Sequence, residues 1–391
     1  MFVARTYRNL LEAARRDRNE GRFWQDIEGE IKAHSRDEFR IRDIWEAFVE
    51  GGREILDIWR RDGESLSMVT LQESGVTTMA FARITEKIFG NTVLEAWNDP
   101  IFIADQLVRT INTEEIDGEK MAGLSNIGDM IESIGEGMPY PMGGLTDESI
   151  ETPRTDKFGL IVPVTKEALI KNKTGQLLDR CQSHGTALRI NKEKRVLDTV
   201  CGITTSYRRS GGAAQATYGT THTDGTFNNQ LVNALTDEAT VQASDLAFDA
   251  IVDPNTGDPI TVLPTTVLTS KAKFNRAHII FNATEYREVS GSKTMIYSNP
   301  LDMPRINGLR NREAVLTNNY VASRVGNDTT WFRGDFKKAF AYMQVWGITT
   351  VRAPRNSELE FTNDIVERFK VSERGVPAVM EPRYVQKNTA S

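Results

Sequence analysis

The 391-residue sequence predicts an α+β fold organised around one long helix, and three observations carry that expectation. The first is a proline-free stretch from Thr174 to Cys201, closed by Gly202 where a left-handed C-terminal cap is wanted. The second is the run Lys157-Phe158-Gly159-Leu160-Ile161-Val162-Pro163 just before it, apolar and β-branched like a strand covered on both faces. The third is an alternation of short strand and helix patterns from residue 203 onward, which reads as a domain with its own core.

The long helix spans about 28 residues, roughly 42 Å at 1.5 Å per residue, against an ordinary length of about 11–12 residues. Leu177, Leu178, Cys181, Leu188, Val196, Leu197 and Val200 form a broad stripe, not a strict heptad. That pattern suits a helix lying across a sheet better than a coiled coil. Gly185 weakens its middle by about 1 kcal/mol relative to Ala. Thr165 is placed to cap a short helix through Ile170, and Thr174 to cap the long one. Pro163 cannot donate to a ladder, so the strand ends or lies at a sheet edge there.

Composition narrows the function classes. The chain is 39% hydrophobic and 26% charged, ordinary for a globular protein. No apolar run approaches the roughly 18 residues needed to cross a bilayer, and no signal peptide opens the sequence, so no membrane partner is expected. The formal net charge of −6 argues against a general nucleic-acid coat. Cys181 and Cys201 lie roughly 30 Å apart along one helix. A bridge needs Cα atoms within about 7 Å, so the two read as reduced, half-buried thiols.

Ahead of the helix, residues 1–62 carry helical patterns dense in charge. Ile41, Ile44, Trp45 and Phe48 fall at i, i+3, i+4 and i+7. Arg5, Arg8, Arg15, Arg16, Arg18 and Arg22 suggest a basic arm on DNA. Residues 1–61, however, balance 13 Lys and Arg against 13 Asp and Glu, which favours amphipathic helices docked on a neighbouring copy. Leu66 to Val76 reads as an extended arm. Phe81, Ile84, Ile88 and Phe89 space as a helix ended by Gly90-Asn91, with Val93, Leu94, Trp97 and Ile101 continuing an apolar face. Residues 112–156 are rich in Gly and Pro, too long for an idle connection and too apolar for a linker. They read as a projecting two-stranded loop whose apolar residues, Met130, Ile131 and Ile134 among them, find burial on another subunit as an intersubunit clamp.

After Gly202, residues 210–226 read as an exposed loop. Thr236 is placed to cap a helix whose apolar side is Leu246, Ala247, Ala250 and Ile251. Thr261-Val262-Leu263 and Thr266-Val267-Leu268-Thr269 are strand candidates split by Pro264. Ser270 caps a helix carrying Phe274, Ala277, His278 and Phe281. Ala314-Val315-Leu316 and Tyr320-Val321-Ala322 read as strands, and so does Ala339 to Trp346. Ile365 to Gly375 alternates into a glycine turn, with Val376 to Met380 returning. Gln386 to Ser391 is expected to fray.

A strand ending Val162-Pro163-Val164-Thr165, a short helix Lys166-Glu167-Ala168-Leu169-Ile170, then a long helix closing on Val196-Leu197-Asp198-Thr199-Val200-Cys201-Gly202 resembles the major capsid proteins of tailed phages and prophages, the Hong Kong 97-type shell fold. The resemblance covers Met68 to the C-terminus, and the order of elements carries it. It implies a charged, scaffold-like helical segment at 1–62, an N-arm at 63–111 and an extended loop at 112–163. A peripheral domain with the spine helix follows at 164–202, then an axial domain at 203–338. The peripheral sheet and C-terminus occupy 339–391. It also implies a homo-oligomer of hexamers and pentamers forming an icosahedral shell around double-stranded DNA, without sequence-specific binding. A portal and decoration or scaffolding proteins are the implied partners, with assembly in the host cytoplasm. In some members the N-terminal segment is removed, and the presence of the sequence from Met1 argues against removal here.

Enzymatic signals are weak. There is no Gly-rich phosphate cradle, no paired Cys for zinc and no His-x-x-x-His, so no cofactor, metal or catalytic residue is assigned. Cys181 and His184 share a helix face, yet no third residue orients the imidazole, and a buried thiol beside a polar residue explains the pair better. Asp224, Asp237, Asp253 and Asp258 lack the spacing of a calcium loop. Some members of the resembling family cross-link a loop Lys to an Asn with a Glu as base. Lys120, Lys157, Asn363 and Glu367 are not fixed to those roles by any motif, so no cross-linking is expected. Two other readings are a nanocompartment shell of the encapsulin type, against which the long N-terminal region counts, and a hydrolase with a helical lid, which lacks a partnered nucleophile.

Overall fold

The computed structural model describes residues 41–48, 53–57, 76–122, 149–171, 173–203, 206–209, 211–222, 227–252, 259–282, 285–290, 293–298, 313–353 and 362–390. Its helices are α1 (Ile41–Phe48), α2 (Val76–Trp97), α3 (Ala104–Leu107), α4 (Lys166–Ile170), α5 (Thr174–Val200), α6 (Glu238–Asp249), α7 (Lys271–Asn282), α8 (Asn319–Val325) and α9 (Phe336–Ala339). Its strands are β1 (Arg109–Asn112), β2 (Lys120–Ala122), β3 (Ser149–Glu151), β4 (Asp156–Thr165), β5 (Ser206–Arg209), β6 (Gln215–Ala216), β7 (Gln230–Val232) and β8 (Thr266–Thr269). They continue as β9 (Glu285–Ser290), β10 (Lys293–Ser298), β11 (Ala314–Thr317), β12 (Trp331–Gly334), β13 (Phe340–Arg352), β14 (Ile365–Val379) and β15 (Val385–Thr389). The chain divides into two compact units, one of Met1–Asp99, Lys157–Ile190 and Trp346–Arg374, the other of Pro100–Asp156, Asn191–Val345 and Gly375–Ser391.

The expected long helix is α5. The Thr165 side chain caps α4 by accepting from the Ala168 N–H. The Thr174 hydroxyl accepts from the Ile41 N–H at 2.9 Å. At the other end Gly202 takes φ +66°, and Ile203 N and Gly202 N donate to the carbonyls of Asp198 and Thr199. That pair of bonds is the glycine-closed helix end expected from the sequence.

In the first unit, Leu177, Leu178, Cys181 and Leu188 of α5 pack with Val162 and Val164 of β4, and with Ile88, Phe89, Val93 and Trp97 of α2. Phe89 meets Phe369 of β14 edge-on at 5.0 Å. Two expectations are corrected here. The helix α2 does not stop at Gly90-Asn91 but runs to Trp97, because Val93 and Trp97 bury on the face that Ile88 and Phe89 begin. Burying such side chains contributes about 1.5–3 kcal/mol each and outweighs a mid-helix glycine. Ile41 and Trp45, with Ile55 and Leu56, belong to the same core, so this part of the N-terminal region docks on its own subunit and not on a neighbour. Gly185 also gains a reason: a Cβ there would lie 2.7 Å from the Val93 carbonyl oxygen, so the glycine lets α2 and α5 approach.

β4 is an edge strand of the four-stranded sheet β1-β13-β14-β4, which accommodates Pro163. It is not covered on both faces within the chain. Val162 and Val164 are buried, whereas Leu160 is 38% and Ile161 56% exposed. The glycine turn expected at Gly375 is absent, since β14 runs unbroken to Val379. A Cβ at Gly375 would meet the Tyr342 ring at 2.6 Å and the Met343 carbonyl oxygen at 2.8 Å, so this glycine serves close approach and not chain reversal.

The second unit holds the five-stranded sheet β11-β8-β12-β15-β7, parallel at β11–β8 and β15–β7 and antiparallel elsewhere. The tail expected to fray is β15, paired on both sides, with Gln386 and Asn388 fully buried. Tyr320-Val321-Ala322 is not a strand but part of α8, capped by the Asn318 side chain on the Tyr320 N–H and closed by Gly326 at φ +82°. Of the two strand candidates around Pro264, Thr266–Thr269 is β8 and Thr261–Leu263 forms no strand. Asp237, not Thr236, caps α6, and that helix buries Val241, Ser244 and Phe248 while Leu246 stays 64% exposed. In α7, Ala277 and Phe281 are buried as expected, Phe274 is half-buried, and His278 is exposed.

Candidate assembly surfaces

The rigidity of the second unit comes from buried charges, each with its partners. Glu193 of α5, fully buried, accepts from Ile103 N at 3.0 Å, Ala104 N at 2.9 Å and Asn318 Nδ2 at 2.7 Å. It thereby ties α5 to the start of α3 and to the cap of α8. Arg195 donates to the Gly375 carbonyl at 3.0 Å, and Lys192 lies 4.5 Å from the Tyr342 ring centre. Arg333 of β12, 1% exposed, binds Glu313 and Asp245 at 2.5 and 2.9 Å. Glu381 binds Arg209 and Arg383 at 3.1 and 2.7 Å. Buried charges hold only when paired and hydrogen-bonded, and breaking such a pair leaves a costly lone charge. These groups fix the fold around them.

The surfaces that could join copies are elsewhere. β2 and β3 pair antiparallel, Lys120 opposite Glu151 and Ala122 opposite Ser149, within the four-stranded sheet β2-β3-β5-β6. The clamp candidates Met130, Ile131 and Ile134 lie outside the described residues. In the first unit the open sheet face carries Ile161, Val351 at 48% exposure, and Trp346 with Lys157 and Arg374 at 5.9 and 5.7 Å from its ring centre. In the second, Leu246 and Val232 are exposed. A groove of 420 Å³ in the first unit is lined by Glu86, Lys87, Asn91, Leu94, Ile348 and Thr350.

The residues weighed for chemistry are placed as follows. Cys181 and Cys201 are in no disulfide and are fully buried, deeper than the half-burial expected. Burial, then the charge of Arg180, lowers the pKa of His184 below its ordinary value. Its Nδ1 is buried without a hydrogen-bond partner among the described residues. Glu367 is held at both oxygens by Arg352, at 2.8 and 3.0 Å. Asn363 and Lys157 are exposed, and Lys120 lies 3.8 Å from Glu151. Among the described residues no three His, Cys, Asp or Glu side chains gather as metal ligands, and no helix is long and apolar enough to cross a membrane. Asp224, Asp253 and Asp258 fall outside those residues. Sequence reasoning missed Glu193, Arg333 and Glu381, whose partners, apart from Arg383 beside Glu381, are far away along the chain.

Comparison with known proteins gives these surfaces their meaning. No curated protein matches the chain. Among solved structures it is similar to the virus-like particle from Pyrococcus furiosus, at 8% identity over 77% of this chain and 98% of that one, with a TM-score of 0.39. It is similar also to the capsid of cyanophage P-SCSP1u, at 10% identity over 73% and 86%, TM-score 0.42. Mycobacterium phage Bobi stands at 13% identity over 74% and 90%, TM-score 0.43. A family model described as phage capsid protein matches residues 149–388, more than half of the chain. That span takes in α5, the long strands β13 and β14 and the buried charges of the second unit, so the chain belongs to the phage capsid protein family and is a major capsid protein, a structural component of the shell.

Proposed function

We propose that copies of this chain assemble, as hexamers and pentamers, into the icosahedral shell of a tailed-phage head that encloses double-stranded DNA. The family match over residues 149–388 carries this reading. The braced second unit supports it, since a shell subunit must keep one shape while meeting several neighbours. In the same reading residues 112–156 form the intersubunit clamp, with Met130, Ile131 and Ile134 buried on the adjacent copy. A portal and scaffolding or decoration proteins complete the head, and assembly takes place in the host cytoplasm. The protein performs no catalysis.

Negative-stain microscopy of the purified full chain tests the proposal, and closed isometric particles are the expected result. A protein that stays monomeric at every concentration and salt tried would sink it. The clamp is tested separately with Ile131→Asp and Ile134→Asp together. An isolated two-stranded hairpin is marginal in water, so the melting temperature of the monomer is expected to hold while particles are lost. A variant that unfolds as a monomer would place those residues in their own subunit's core.

A further inference from the structure

The connection between β1 and β2, residues 113–119, is built to be shown. The Thr113 hydroxyl donates to Glu119 Oε2 at 2.8 Å and accepts from Glu115 N at 3.1 Å. Thr155 donates to the Ile116 carbonyl from its N–H at 3.0 Å and its hydroxyl at 3.1 Å. Thr152 Oγ1 accepts from Glu119 N at 2.8 Å. Gly118, at φ +103°, has no room for a Cβ beside the Thr152 carbonyl. Glu114, Glu115 and Asp117 nevertheless stand exposed around Ile116, which is 41% exposed. Asp117 meets Arg154 at 3.4 Å with both side chains largely in water, an arrangement worth little. A turn locked in advance and tipped by an apolar side chain among carboxylates has the features of a preorganised contact.

The open sheet face of the first unit is its complement. Lys157 and Arg374 flank Trp346. Strand alternation puts Lys370, exposed, and Arg368, half-buried, on the Arg374 side of β14, while Phe369 and Val371 enter the core. Glu367 and Glu373 alternate to the other side of the strand with Phe369 and Val371, at 4% and 2% exposure, and Glu367 is held by Arg352. Ile161 and Val351 supply apolar surface beside the cations.

We propose that the acidic turn 113–119 of one copy docks on this basic sheet face of a second copy, Ile116 against Ile161 and Trp346, its carboxylates among Lys157, Lys370 and Arg374. The proposal rests on the shell reading and specifies one of its contacts. The two patches differ, so the contact is heterologous and not an isologous pair, the kind of contact that closes copies into a ring where its rotation allows. Nucleic acid is the other polyanion at hand, but a phosphate backbone makes no use of Ile161 and Val351.

A charge swap in the full chain tests the docking. Glu114→Lys, Glu115→Lys and Asp117→Lys together are expected to abolish particles seen by microscopy and gel filtration, and so are Lys157→Glu with Lys370→Glu. All five changes combined are expected to restore particles, and each variant's circular-dichroism melt is expected to match the wild type. Particles that persist in either set, or a combined variant that fails to recover, overturn the docking. Lys157→Glu/Lys370→Glu particles that form normally but retain less nucleic acid overturn it in favour of a genome contact. A wild-type protein that makes no particles overturns the shell reading itself, which separates the two failures.

Discussion

At the scale of single residues, the positions that matter most are those where a strand or charge has no alternative. Gly375 lies so close to Tyr342 and Met343 that any side chain must push the strands apart. Gly375→Ala is expected to destabilise the protein by about 1–3 kcal/mol in urea unfolding, as overpacking does. Removing Arg333 strands the buried Glu313 in the interior and takes one partner from the half-buried Asp245. Arg333→Leu is expected to cost about 3–5 kcal/mol by the same measurement. Burial pushes the Cys201 thiol up to about 12, and Tyr218, also buried, is raised well above its usual 10.0 by burial and by Cys201. A group held protonated in the fold stabilises fully below its unfolded pKa and loses that contribution as pH rises toward the folded value. Between about pH 9 and 12 the unfolded thiol ionises and the folded one does not, so stability is expected to fall by about 1.4 kcal/mol per pH unit from Cys201 alone. Cys201→Ala is expected to flatten that slope, read from melts across the alkaline range.

At the scale of elements, the C-terminal strand and the first helix are the informative cases. β15 sits between β12 and β7, so cutting the chain after Tyr384 removes an interior strand and exposes both neighbours. The truncated protein is expected to be insoluble or quickly degraded by trypsin, where loss of a frayed tail would leave it intact. Trp45 of α1 is fully buried in the first unit's core. Trp45→Ala is expected to cost about 3–5 kcal/mol, a cavity-sized loss visible as a lowered denaturant midpoint.

At the scale of the whole molecule, folding and assembly draw on different parts of the chain. Deleting residues 2–40 is expected to leave the melting temperature unchanged and to impair particle formation, since that segment is densely charged and nearly balanced, nine Lys and Arg against eight Asp and Glu. Deleting residues 2–57 also removes Ile41, Trp45, Ile55 and Leu56 and is expected to lower the melting temperature sharply. Covalent linkage between subunits is not expected: no motif assigns a Lys, Asn and Glu to that chemistry, and Glu367, the Glu weighed for it, is held by Arg352. Particles boiled in denaturant are expected to run as a single monomer band, and a ladder of oligomers would disprove this.

What the sequence determined by itself is what rests on local chemistry. The capped start of α4, the unbroken α5 and its glycine-closed end follow from Thr165, the absence of proline and Gly202, whose preferences act within one turn of chain. The edge position of β4 is written in Pro163, whose missing N–H no neighbour can restore. Tertiary structure alone decided the rest. Gly375 and Gly90 read as breaks in the sequence, yet both continue their elements because distant residues pack against them. Gln386 to Thr389 looks like a polar tail and becomes an interior strand, since β12 and β7 supply the hydrogen bonds its own neighbours cannot. Tyr320-Val321-Ala322 carries strand propensity and becomes helix, because the Asn318 cap and the burial of Val321 outweigh a preference worth less than about 1 kcal/mol. Glu193, Arg333 and Glu381 look like surface charges along the chain, and only folding brings the partners that make their burial possible.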